Sequence, residues 1–327
     1  MAIAISGYYG FDNAGDEAIL MSLVREAKKR GIEPVVLSAN PKRTEELHEV
    51  AAVPRFKPSA IKTLATSSGL LSGGGGLLQN KTSNKSLLYY LSIIALAQAA
   101  RRPTWIFGQS LGPLSPGART LTSHVLKRSR AVVVRDKHSL KLAQEMGIKE
   151  DRLFLGADAA ILLEPPQVRR EENLITLIPR GKLANQANLL LREVAQKLRS
   201  LNFEVLVLGL QPGYDEDALD LFAGFNREIS GDPRRVQYLL AQSSYVLSLR
   251  LHGLILAAAA GTPYAGGNYD PKILSFCRET GAPYWDLPGD PDAITLMATR
   301  RLEPNKKAIR ELKLRAASSF DFIWGTS

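Results

Sequence analysis

Strand-like apolar runs alternate with helix-like segments along almost all of the 327 residues, and the alternation restarts once. That rhythm, more than any other feature, limits what the chain can become. Residues 2–6 predict a strand. GYYGFDNAGDEAIL then leads into a helix reaching about Lys29, with Ile19, Leu20, Leu23 and Ala27 at core spacing and Gly31 as its stop. Pro34–Ser38 predicts a second strand, which completes a βαβ unit. Leu70–Ser72 runs into the glycines 73–76. A helix at 87–100 precedes a strand at Thr104–Phe107, which the loop GQSLGP follows. A helix at 117–129, a strand at Ala131–Val134, a helix at 137–146 and a strand at 153–155 close the first half. EPPQVRREE (164–172) has the Pro and charge content of a linker. Strands at 174–178 and 203–208, with helices at 186–200, 215–225 and 233–242, repeat the pattern. The expected fold class is α/β, with two Rossmann-like domains facing across a cleft. Their expected bounds are 1–163 and 173–300, with a helical tail at 301–327.

The last unit of the restart, SYVLSLRLHGLILAAAAGTPYAGGNYDPK (244–272), is the most informative. A buried strand passes through Arg250-Leu251-His252 into an Ala/Leu-rich helix that Gly261 and Pro263 stop. In open α/β sheets, ligands collect at the carboxyl ends of strands, where unpaired helix N–H groups favour anions. Arg250, His252 and Lys272 therefore predict a site for a small, highly charged anion. A histidine beside a bound polyanion carries a proton that it can donate, so His252 is the candidate acid. Asp16, after the Asn-Ala-Gly loop, is the candidate base toward a hydroxyl; Glu17 next to it complements the helix dipole. Arg135, at the end of a strand, suits either a forked grip on an anion or an internal ion pair with a carboxylate. Gly73–Gly76 is neither a Walker A loop nor GxGxxG, and suits a tight turn as well as ligand contact. Gly74, Gly75 and Gln109 are the loop contacts to test. Asp215 and Asp217 form a DxD pair at a helix start, where acids are common, and the histidines lack metal-ligand spacing. No metal is expected.

Bulk properties narrow the classes. The single cysteine, Cys277, excludes an intramolecular disulfide and suits a reducing cytoplasm, and no secretory signal opens the chain. The longest apolar run, Leu87–Ala100, is shorter than the roughly 20 residues of a membrane span. It reads as a helix buried against a sheet, with membrane-surface contact as the lesser reading. The net charge of +10 suits a solvated basic surface, an anionic substrate or an anionic membrane. Without a nucleic-acid-binding motif or a long basic run, no nucleic-acid partner is expected.

Taken together, SGYYGFDNAGDEAIL (6–20), SGGGGLLQ (72–79), FGQSLGPL (107–114), VVVRDKHS (132–139) and SLRLHGLILAAAAGTPYAGGNYDPK (248–272) resemble the polysaccharide pyruvyl transferase family, specifically its CsaB-type cell-wall enzymes. The resemblance implies a GT-B-like fold. It implies transfer of a pyruvyl group from phosphoenolpyruvate to two hydroxyls of one sugar as a cyclic ketal. The implied acceptor is N-acetylmannosamine on a lipid-linked glycan precursor, whose product anchors surface-layer proteins. Matched by motif, the family's important residues fall on Asp16, Arg135, His252 and Lys272, with Arg250 beside them. In this reading His252 protonates the donor, Asp16 deprotonates a sugar hydroxyl, and Arg135, Arg250 and Lys272 hold phosphoenolpyruvate. No cofactor is called for. A lipid-linked acceptor places the work in the cytoplasm, at the inner face of its membrane, with peripheral contact through Lys and Arg. The rival readings are a GT-B glycosyltransferase using a nucleotide sugar and a non-catalytic polyanion binder.

Overall fold

A computed structural model describes residues 2–81, 83–182 and 185–325. By its contacts the chain divides into two compact units. The first comprises residues 1–11, 16–162 and 312–327, and the second comprises 12–15 and 163–311.

The first unit carries the strands β1 (Ala2–Ser6), β2 (Glu33–Ser38), β3 (Ala51–Pro54), β4 (Leu70–Ser72), β5 (Gly75–Leu78), β6 (Thr104–Leu111), β7 (Ala131–Val134) and β8 (Leu153–Leu155). Its helices are α1 (Ala14–Lys29), α2 (Pro41–His48), α3 (Pro58–Thr66), α4 (Asn84–Ala99), α5 (Pro116–Leu126) and α6 (Lys137–Glu145). Among the described residues the sheet order is β3-β2-β1-β4-β6-β7-β8, with β5 also paired to β6, and every pair is parallel. Order therefore reverses between β1 and β4, the switch point at which open sheets bind ligands. Successive strand residues face opposite sides. Ala4, Leu70, Ile106, Val132 and Val134 join α3, α4, α5 and α6 in one core cluster.

Two sequence expectations change here. GQSLGP is not a loop from its first residue, because β6 runs on to Leu111. The glycines 73–76 are not a tight turn. The strand that ends at Ser72 is interrupted and resumes as β5, pairing Gly75 with Gln109. Across the break the pairing with β6 keeps its register, Ser72 opposite Ile106 and Gly75 opposite Gln109, while β6 shifts register against β7 between Ile106 and Gln109; Gly108 sits at φ +58° and Gly75 at φ +106°. Such angles are open to glycine and strained for other residues.

The second unit carries β9 (Glu171–Ile178), β10 (Glu204–Gly209), β11 (Asn226–Ile229), β12 (Ser243–Ser248), β13 (Tyr264–Asn268) and β14 (Tyr284–Asp286). Its helices are α7 (Asn185–Ser200), α8 (Glu216–Asp220), α9 (Pro233–Gln242), α10 (Leu251–Ala260), α11 (Pro271–Thr280) and α12 (Pro291–Thr299). The order is β11-β10-β9-β12-β13-β14, all parallel, and the reversal falls between β9 and β12. α7 and α12 pack on Ile175, Leu177, Val205, Tyr245 and Leu247. The helix expected over 215–225 stops at Asp220, and the chain returns as β11 beside β10.

The contact-based units differ from the sequence bounds in two places. Asp12–Gly15 groups with the second unit, where the Ala14 amide donates to the Leu210 carbonyl at 2.9 Å. The tail is the helix α13 (Lys306–Trp324), and residues from Leu312 onward belong to the first unit. There the Phe320 ring lies 4.5 Å from that of Phe107, and Arg30 pairs with Asp321 at 2.6 Å. The expected domain ends at Met1 and Ser327 lie outside the described residues.

Candidate active site

In the first unit the switch point gathers the loop after β1, the start of α1 and the interrupted strand. Glu17 does more than complement the helix dipole. One carboxylate oxygen accepts the Gly10 amide at 2.8 Å, and the other meets His48 Nε2 at 2.8 Å, both side chains being buried. That clasp shapes the loop from which Asp16 emerges, itself only 8% exposed. A side chain on Gly75 would bring its first carbon to 3.1 Å from Asp16 Oδ1, so the glycine run lets the backbone approach the carboxylate. A side chain on Gly73 would strike the Tyr9 hydroxyl. Tyr9 is fully buried. Burial, followed by the nearby charges of Asp16 and Glu17, raises its phenol well above the usual range. It is a neutral phenol at any physiological pH.

Gln109 is fully buried. Its amide donates to the Gly73 carbonyl and accepts from the Leu77 amide at 3.4 Å, bridging the gap between β4 and β5. Arg135 makes the internal pair that was one of its two sequence readings. Its Nη1 meets Asp158 Oδ2 at 2.6 Å, with the two side chains 8% and 6% exposed. Asp158 also accepts the Ala160 amide at 3.0 Å and adds to the electrostatic field at Tyr9. Removing one member of a buried pair strands the other charge. Arg135→Ala is expected to cost about 3–5 kcal/mol of stability, read from the denaturation midpoint. A midpoint equal to that of the parent would show that the pair carries no such load.

In the second unit the carboxyl edge of the sheet holds a denser cluster. Arg250 follows β12 and precedes α10, where Ser248 Oγ accepts its amide at 3.0 Å and donates to its carbonyl at 2.8 Å. Its guanidinium is 5% exposed and donates to both carboxylate oxygens of Asp215. Asp215, fully buried, also accepts the amides of Leu210 at 2.9 Å, Gln211 at 3.0 Å and Gly181 at 3.2 Å. It therefore ties the loops after β9 and β10 to Arg250.

Tyr214 stands at the centre of the cations. Its ring centroid lies 5.3 Å from the Arg180 guanidinium, 4.8 Å from Lys182 Nζ and 5.9 Å from Arg250. Burial lowers the pKa of Arg250. Asp215 opposes this shift, and the neighbouring charge of Arg180 reinforces it. Tyr269, after β13, responds to the same charges: burial raises its phenol and Arg180 and Arg250 pull it back. Among the described residues Arg180 has no carboxylate partner, and its buried Nε has no hydrogen-bond partner. Lys272 enters at the same sheet edge, in the first turn of α11, where its amide donates to the Asp270 cap at 2.9 Å.

His252 lies in the first turn of α10 and is half-buried. Gly15 packs directly on its ring, so that any side chain at Gly15 would overlap the imidazole. Gly15 itself is held by Asn13, whose side chain accepts the Gly15 amide at 3.1 Å and donates to Gln211 at 3.3 Å. Asp16 is the next residue in the chain.

The structure thus brings Arg250 into one cluster with Arg180, Lys182, Tyr214 and Tyr269, and sets Asp16 beside Gly75 and Tyr9. Asp215 was read from sequence as an ordinary helix-opening acid, and Arg180 was not singled out. The one signal that could have found Arg180 is its position just past a buried strand, in LITLIPRGK. Among the described residues no group of three His, Cys, Asp or Glu side chains is arranged to hold a metal ion.

Two parallel α/β units, each with charged residues at the switch point of its sheet, define a Rossmann-like α/β fold of the GT-B-like class. Solved structures with this fold include UDP-GlcNAc 2-epimerase from Neisseria meningitidis bound to UDP-GlcNAc (TM-score 0.60, 13% identity, covering 98% of this chain and 99% of that one). HepE from Anabaena in complex with UDP and glucose is also similar (TM-score 0.60, 11% identity, 99% and 96% covered). At such identities the likeness is one of fold alone. In sequence, the chain is 23% identical over 299 residues to the amylovoran biosynthesis protein AmsJ of Erwinia amylovora, covering 80% of this chain and 71% of that protein. The profile of the polysaccharide pyruvyl transferases matches residues 13–271. The chain belongs to the polysaccharide pyruvyl transferase family: it is an enzyme that transfers a pyruvyl group to a polysaccharide acceptor.

Proposed function

We propose that the pyruvyl donor is phosphoenolpyruvate and that the acceptor is N-acetylmannosamine of a lipid-linked cell-wall precursor, at the inner face of the cytoplasmic membrane. The observation that carries the donor assignment is a charge imbalance. Arg180 and Arg250 repel one another at the carboxyl edge of the second sheet; Asp215 pairs with Arg250, and among the described residues no carboxylate pairs with Arg180. A ligand bearing a carboxylate and a phosphate ester on one carbon restores the balance, and Lys182 and Lys272 extend the same cationic edge.

In the proposed reaction His252 gives a proton to the C3 methylene of phosphoenolpyruvate, and positive charge develops at C2. One sugar hydroxyl attacks C2 and passes its proton to Asp16. The C2–O bond to phosphate then breaks as the second hydroxyl closes the ketal, and its proton leaves with inorganic phosphate. Arg250 and Arg180 stabilise the negative charge gathering on the departing phosphate. No metal or cofactor enters the scheme. Family membership assigns pyruvyl transfer, so the nucleotide-sugar reading is not carried forward.

The test incubates the enzyme with phosphoenolpyruvate and the candidate acceptor, and reads released phosphate and the acceptor's mass. Acceptor-dependent phosphate with a ketal-bearing product supports the assignment; a product formed without phosphoenolpyruvate overturns it. Arg180→Gln separates anion binding from folding. It relieves repulsion on Arg250, so stability is expected to hold or rise, while the phosphoenolpyruvate requirement climbs roughly tenfold to a hundredfold, as for loss of one charge-assisted contact. An unchanged donor requirement would remove Arg180 from the donor site.

A further inference from the structure

The chain carries no Asp or Glu from Val50 to Arg135, against twelve Lys and Arg in the same stretch. That excess is larger than the whole net charge of +10. The charge is therefore segregated along the chain although no long basic run occurs. The stretch holds α3, α4 and α5, and α4 packs against both of the others on one face of the first sheet.

The outer side of this layer is apolar as well as basic. α4 buries Leu87, Tyr90, Leu91, Ile93, Ile94 and Ala97 against the sheet. Its other face shows Leu88 (52% exposed), Ser92, Ala95, Leu96 (43% exposed) and Ala99, a stripe at helical spacing without a charge. On α3, Ile61 is 57% exposed. A helix with apolar residues on both faces has one partner in the core and calls for a second outside it. Lys57 and Lys62 of the α3 segment and Lys81 and Lys85 around the start of α4 are exposed. Arg102 and Arg128 flank a shallow groove lined also by Ala95, Gln98 and Ala99. An acid from outside the stretch, Glu145 of α6, pairs with Arg119 of α5 at 2.9 Å.

We infer that the outer face of α3, α4 and α5 docks on an anionic lipid surface, with the α4 stripe at the level of the headgroups and the exposed lysines over their phosphates. Apolar side chains beside basic ones, and no acid among them, match a negatively charged bilayer in charge and in polarity. No helix among the described residues is long and apolar enough to cross a membrane, so the contact is a surface one. The inference takes its purpose from the lipid-linked acceptor proposed above, but its chemistry is independent of the reaction.

The full chain is spun with phosphatidylcholine vesicles, with and without phosphatidylglycerol. Expected are preferential binding to the phosphatidylglycerol vesicles and a decline with added salt. The triple variant Lys57→Gln, Lys62→Gln, Lys85→Gln should partition about a hundredfold more weakly. Leu88→Ser with Leu96→Ser should weaken binding about tenfold or more at constant salt. Both variants should keep the parent's circular dichroism and its phosphate release with a water-soluble acceptor. Equal binding to both kinds of vesicle, or variants that bind as the parent does, overturns the inference. Stronger retention on duplex DNA than on phosphatidylglycerol vesicles at one salt concentration also overturns it, and assigns the face to nucleic acid. Vesicle binding without phosphoenolpyruvate turnover would sink the functional reading and leave the docking face standing.

Discussion

His252→Ala is expected to lower acceptor-dependent phosphate release by about 10²–10⁴-fold, the usual worth of a positioned proton donor. The imidazole sits in the first turn of α10, and the residues that hold that turn, Ser248 and Arg250, stay in place without it. The variant should therefore fold, and phosphoenolpyruvate should still raise its melting temperature, because the cations proposed to meet the donor are other residues. Gly15→Ala offers an independent route to the same defect, since the added methyl would overlap the His252 ring and force it to turn. Normal phosphate release in His252→Ala would take the histidine out of the reaction. A loss of donor-induced stabilisation in parallel with activity would make it a binding group instead.

Asp215→Ala is expected to be the most damaging change for the fold of the second unit. It leaves Arg250 buried without a carboxylate and strips an acceptor from the amides of Leu210, Gln211 and Gly181. Loss of one partner of a buried pair costs about 3–5 kcal/mol, and each amide left without a partner adds about 1–3 kcal/mol wherever water cannot reach it. Against a typical stability of about 5–15 kcal/mol, that is enough to unfold a marginal domain at physiological temperature. Asp215→Asn keeps the shape and an acceptor oxygen, so it should fall between parent and alanine variant in urea denaturation. If Asp215→Ala unfolds at the parental urea concentration, Asp215 is not the keystone of the Arg250 cluster. Such a result would also weaken the charge-imbalance argument for the donor.

Several features of both the fold and the site were legible in the chain because their signals are local. Strand and helix periodicity, the Gly and Pro stops and the Pro-rich linker report on the residues that carry them. They were enough to expect two parallel α/β halves and to set Arg250, His252 and Lys272 at strand ends. Local signals failed where backbone geometry was set by a neighbouring strand. SGGGGLLQ suited a turn as well as a ligand contact because four glycines in a row give no periodicity, and only pairing with β6 reveals an interrupted strand. GQSLGP looked like a loop for the same reason, since Gly108 marks a register shift within a continuing strand.

What the sequence alone determined is which chemical groups stand at the ends of strands, because that follows from where each apolar run stops. Which groups meet was decided only by the tertiary structure. Arg250 and Asp215 are 35 residues apart in the chain, Glu17 and His48 are 31 apart, and Arg135 and Asp158 are 23 apart. The order of strands in each sheet brings such partners together, and burial then makes every pairing obligatory, since a charge removed from water must find its counterpart.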